Sequence, residues 1–264
     1  VSKLFDRVCT INISGKEFKS PPFSIEFTQT AKIGTLMANV LKLYNPSNDT
    51  IKLFESKKVA GRTVYPKVLI EAGYKEQNGT CTIGEVTDFK VQYGPPDRII
   101  EAKIGDISSA WINGYVNQTY NNMSAQFILR SIFLVTGVQA SAIELGQNKT
   151  YPTITIRKLS DAIRQICRDT KSEFTFKNGL IRISPITPRL KKAKLLSPTT
   201  GLVGKPEKLP QGYKINTLFI YDIEVGDYVL IQSDELNAPF KVTSYKKTFS
   251  SFGNAGCEFE VIKI

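Results

Sequence analysis

Across the first hundred residues, apolar and polar positions alternate in short runs separated by turn formers. Residues 9–13, 23–27, 38–44, 67–72, 80–91 and 97–104 each keep a period of two, so each predicts a strand with one face buried. The run FSIEF at 23–27 and the AxVxLxY pattern at 38–44 are the cleanest. Between them stand Ser14-Gly15, Pro21-Pro22, Asn45-Pro46-Ser47 and Gly94-Pro95-Pro96. Gln77-Asn78-Gly79 predicts a hairpin turn, because Asn and Gly tolerate positive φ. Strands at this even spacing indicate a small antiparallel barrel or sandwich.

The period then changes. Over 123–135 the apolar residues Phe127, Ile128, Ile132 and Val135 form a helical stripe that Gly137 ends. Ser160-Asp161 opens a second helix with Ala162, Ile163, Ile166 and Cys167 on one face. A hairpin follows, 173–176 and 180–184 about the turn Lys177-Asn178-Gly179. Beyond Pro185 and Pro188 lies a basic stretch, 186–214, with seven basic residues and one acid, Glu207. Strand patterns resume at 215–221, 228–232, 240–245 and 257–264. The expected fold class is mainly β with an α+β insert. Two tube-like antiparallel β-barrel domains, 1–107 and 186–264 (the latter led by the basic linker), flank a small α+β module, 108–185.

Composition narrows the chemistry. The chain has no histidine, which removes His-based triads, His general bases and His-containing zinc sites. Its four cysteines, Cys9, Cys81, Cys167 and Cys257, are too scattered for a zinc knuckle and read as four reduced, mostly buried thiols rather than two disulfides. No metal and no cofactor is expected. Carboxylates such as Glu85, Asp88, Asp97 and Glu101 fall in turns or on exposed strand phases, where a glycosidase pair is not built. No nucleophile elbow or phosphate-binding loop occurs. Six Asn-x-Ser/Thr triplets reflect an Asn/Thr-rich β protein. The opening VSKLFDRVCTINISG lacks the apolar core of a signal peptide, and no run approaches a membrane span. The net charge of +11 permits acidic partners. The basic stretch, however, holds a single aromatic, Tyr213, at its edge, and a single-strand nucleic-acid groove needs interleaved aromatics.

Three segments together resemble phage tail baseplate hub proteins, the Mu-type hub of contractile phages and phage-tail-like particles. The first is ANVLKLYNPSNDTIKLF with VLIEAGYKEQNGTCTIGEV and PDRIIEAKIGD. The second is KLSDAIRQICRDTKSEFTFKNGLIRI, similar to the small α+β module of such hubs. The third is LLSPTTGLVGKPEKL followed by TLFIYDIEVGDYVLIQS and FKVTSYKKTFSS, which looks like the closing barrel. Two places depart from the pattern: Ala238-Pro239 where a Gly is usual, and SFGNAG at 251–256 in place of a Gly-Asp hairpin.

The resemblance implies a non-catalytic ring component. It implies a homotrimer whose six barrels continue a six-fold tail tube and pass to a three-fold central spike, in a virion or tail-like particle assembled in the bacterial cytoplasm. The implied partners are the tail tube, spike, tape-measure and baseplate wedge proteins, with no specific nucleic acid. Two other readings fit the same residues: a distal tail protein of a long-tailed phage, and a hub with peptidoglycan-hydrolase activity. The residues expected at a subunit or spike interface are Leu202 and Val203, an apolar pair bracketed by Gly201 and Gly204, together with Lys191, Lys192 and Lys194 facing acidic neighbours.

Overall fold

The computed structural model describes residues 6–59, 62–105, 111, 114–186 and 193–264. They divide into two compact units. One comprises 1–31, 37–105 and 191–264; the other comprises 32–36 and 106–190.

The first unit is built on a thirteen-stranded sheet. Its amino-terminal half holds β1 (Arg7–Ile13), β2 (Lys16–Ser20), β3 (Ile25–Lys32), β4 (Ala38–Tyr44), β7 (Lys67–Tyr74), β8 (Gln77–Gly94) and β9 (Asp97–Gly105). A short helix, α1 (Asn48–Lys52), and a separate small ribbon, β5 (Lys57–Val59) with β6 (Arg62–Val64), interrupt that series. Ser14 and Gly15 both take positive φ, 50° and 92°, which makes the two-residue turn between β1 and β2. Ser47, expected in a turn, caps α1 by accepting from Thr50 N. The β7–β8 hairpin turns three residues earlier than the Asn-Gly pair suggested, since Tyr74 pairs with Gln77 and leaves Lys75-Glu76 as the loop. Asn78 instead donates back to Tyr74 O at 3.1 Å. Gly79 lies in the strand, where a Cβ would come within 2.5 Å of the Tyr221 ring.

The carboxy-terminal half holds β15 (Lys194–Leu196), β16 (Leu202–Leu209), β17 (Gly212–Thr217), β18 (Tyr228–Gln232), β19 (Asn237–Ser250) and β20 (Gly256–Lys263), with a 3-10 turn at Pro198–Thr200. The described part of the basic stretch is therefore strand for most of its length. The two halves join where β19 lies beside β3. They also share a core: the rings of Phe27, Phe219 and Phe249 are all buried, with centroids 5.5–5.8 Å apart. The edge-to-face contacts among them add to the burial itself.

The second unit follows the chain as β10 (Tyr115–Ser124), α2 (Ala125–Thr136), β11 (Gln139–Ile143), β12 (Thr150–Lys158), α3 (Leu159–Asp169), β13 (Ser172–Lys177) and β14 (Leu180–Pro185). β10 and β12 form a two-stranded ribbon, and β11, β14 and β13 a three-stranded sheet with β11 parallel to β14. Ser124 caps α2 by accepting from Phe127 N, and Gly137 ends it at φ 70°. Asn178 and Gly179, at φ 52° and 78°, close the β13–β14 hairpin. The helices bury Ile128, Leu129, Ile132, Ile163 and Ile166 against Ile154, Ile181 and Ile183. The chain is thus mainly β with a small α+β module.

All four cysteines are free and buried. A thiol reagent is expected to leave all four unmodified in the native protein and to titrate all four after unfolding. Modification of any one under native conditions overturns the assignment.

Candidate assembly surface

A sheet of this size has ends, and an end exposes a row of unpaired N–H and C=O groups. The terminal strands on the sheet path are β2 and β16, with β15 at the end of a branch through β18. β2 is five residues long and bears Lys16, Glu17 and Lys19 on its exposed positions. β16 contains Pro206 and a register shift between Val203 and Glu207. Charge, shortness, proline and bulges all discourage further pairing.

β8 is different. β7 accompanies it only as far as Glu85, and Val86 N still donates to Pro66 O at 2.9 Å. From Thr87 to Gly94, β8 pairs with β9 alone among the described residues. Eight residues of strand edge stay open there, without proline or bulge beyond Asp88. One face carries ion pairs to β9, Asp88–Lys103 at 3.1 Å and Lys90–Glu101 at 3.0 Å. The other carries Phe89, Val91 and Tyr93, and Tyr93 is 71% exposed with the Arg98 guanidinium 5.2 Å from its ring centre. The alternation at 80–91 made the strand readable. Its open edge was not, because that depends on where β7 ends.

The residues expected at an interface have the following places. Leu202 is buried within its own unit, opposite Thr217 of β17, while the next residue, Val203, is 46% exposed. Lys194 ends on β15 with its ammonium on Asp222. Lys205 and Lys214 of the same stretch pair with Glu235 and Glu258, each at 2.7 Å. Lys191 and Lys192 lie outside the described residues. Leu202→Asp is expected to cost about 3 kcal/mol or more of folding stability, as a buried apolar side chain becomes a carboxylate. Val203→Asp should stay within about 0.5 kcal/mol. Urea unfolding of the two variants checks both, and equal costs would contradict these placements.

Behind the sheet lies a buried polar cluster. Lys247 Nζ donates to Glu224 Oε1 at 3.0 Å and to Tyr221 O at 2.8 Å, and Tyr245 Oη donates to Glu224 Oε2 at 2.8 Å. Lys247 is fully buried. Burial, the largest single influence, pulls its pKa down, but the Glu224 carboxylate and the neighbouring Cys257 and Cys81 together outweigh it, and the net shift is upward. Burial pushes the thiols of Cys81 and Cys167 up to about 12 and that of Cys257 to about 11. Such thiols are neither nucleophiles nor ligands near neutral pH. Among the described residues, no three or more Cys, Asp or Glu side chains converge as a metal site would require. No helix among them is long and apolar enough to cross a membrane.

The 43 kDa tail protein of prophage MuSo2 from Shewanella oneidensis superposes with a TM-score of 0.70 at 10% identity, over 98% of both chains. A tail protein from Neisseria meningitidis MC58 gives 0.71 at 8% identity, over 98% of this chain and 97% of that one. This is a phage tail-protein fold. The same fold extends to the E. coli c3393 protein, a component of the type VI secretion system with structural similarity to the T4 bacteriophage tail proteins gp27 and gp5. It matches at 0.70 and 11% identity over 96% of this chain and 76% of that one. No family model and no curated protein matches the sequence. At this identity the likeness lies in the backbone path, with few residues in common.

Proposed function

We propose that the chain is a structural, non-catalytic component of a phage tail or phage-tail-like particle, the hub that joins a six-fold tube to a three-fold spike. The observation that carries this reading is a tail-protein fold matched over 98% of the length. In this reading the two halves of the thirteen-stranded sheet act as two tube-like barrels, and three copies supply six around a ring. The open edge at residues 87–94 receives a strand from the adjoining copy. Backbone pairing there gives affinity, while Phe89, Val91 and Tyr93 set the register. The tail tube, central spike, tape-measure and wedge proteins are the remaining partners.

Reconstruction of the assembled particle tests the proposal. Three copies between tube and spike are expected; six identical copies would assign the chain to the distal tail instead. A zymogram on host cell walls is expected to stay blank, and a clear band would overturn the non-catalytic reading.

A further inference from the structure

The second unit carries a groove of its own. About 380 Å³ in volume, it lies between β12 and α3 and is lined by Thr155, Ile156, Arg157 and Lys158 on one side and by Asp161 and Gln165 on the other. Four consecutive residues line the strand side. Since successive side chains of a strand point to opposite faces, only the strand's edge can present all four. That edge is open: β12 pairs with β10 and with no other strand among the described residues.

The groove is also basic. Arg157 and Lys158, both exposed, line it. Neither has a carboxylate partner among the described residues. Lys158 sits 5.8 Å from the ring centre of Tyr115. Asp161 is the one acid lining it.

We propose that this groove binds an extended acidic segment of a partner protein, added as a third strand along the free edge of β12. The edge supplies backbone donors and acceptors, and Arg157 and Lys158 select for carboxylates on the incoming strand. A single-stranded nucleic acid fits less well, because stacking needs free aromatic faces. Trp111 is packed against Phe174 and Phe176 at 5.2 and 4.9 Å between centroids, and Tyr115 already has the Lys158 ammonium over its ring. The inference stands on the second unit alone and does not depend on the ring.

The probe is a short capped peptide of alternating glutamate and threonine, labelled at one end and titrated with the full chain by fluorescence anisotropy. Binding is expected. Arg157→Glu with Lys158→Glu should weaken it about tenfold, and Asp161→Asn should tighten it. Both changes are on exposed residues, and circular dichroism verifies that the variants remain folded. A second peptide of identical charge, methylated on alternate backbone nitrogens, retains the carboxylates and loses the donors of a strand. It should bind much more weakly. Equal binding of the two peptides overturns strand addition, as does binding that the charge reversals leave unchanged or a failure of the first peptide to bind. An oligothymidylate that binds more tightly and is released by the same reversals would assign the groove to nucleic acid.

Discussion

Lys247→Met is expected to cost about 3–5 kcal/mol of folding stability, the usual effect of deleting one member of a buried ion pair. The ammonium it removes is fully buried and reaches both Glu224 and the carbonyl of Tyr221. Without it, the Glu224 carboxylate keeps the Tyr245 hydroxyl at 2.8 Å but loses the Lys247 ammonium. A second variant separates this cause from a packing defect. Adding Glu224→Gln to Lys247→Met should recover most of the loss, because the amide still accepts from Tyr245 and carries no charge. Urea midpoints of the wild type and both variants decide it. A double variant no more stable than the single one would make Lys247 a spacer, not half of a pair.

That lysine also shows how much the sequence disclosed. In SYKKTFS, Tyr245, Lys247 and Phe249 share one strand phase, and all three are buried. The strand read at 240–245 runs on to Ser250, so the period of two carries Lys247 inside, where Glu224 meets its charge. Strand 38–44 was readable because one face is buried and the other is not, and the helix over 125–136 because its apolar stripe runs to Gly137. The strands within 194–217 were hidden by lysines that stand on their exposed side and pair with Glu235 and Glu258. The union of β3 with β19 brings together residues more than two hundred positions apart, and no local pattern records it. The open edges of β8 and β12 belong to the same class. Each strand is written in its own sequence, while its lack of a neighbour is a property of the whole sheet.

Above about pH 9 the protein is expected to lose stability steeply, with its buried thiols as the main cause. A free thiol in the unfolded chain titrates near 9.0, whereas burial pushes Cys81 and Cys167 to about 12 and Cys257 to about 11, with Cys9 shifted in the same direction. Between those values the native state holds protons that the unfolded state has released. The contribution to stability is complete below pH 9 and declines as pH rises toward the folded values. Each thiol adds about 1.4 kcal/mol of loss per pH unit inside its window. Buried tyrosines and Lys247 act with the same sign at higher pH. Burial raises Tyr245 well above 10.0 and also raises Tyr74 and Tyr151, while Lys247 is raised above 10.5 because Glu224, Cys257 and Cys81 together outweigh its burial. Urea midpoints at steps from about pH 8 to about pH 10 give the slope, read before tyrosine and lysine contribute much. Cys81→Ala should lower stability at neutral pH through the small void it leaves, yet make the alkaline slope shallower by one thiol's share. Those opposite signs are the diagnostic: a void lowers the whole curve without tilting it. A slope that Cys81→Ala leaves unchanged would mean that this thiol already titrates in the native state, and hence that the strands around it admit water.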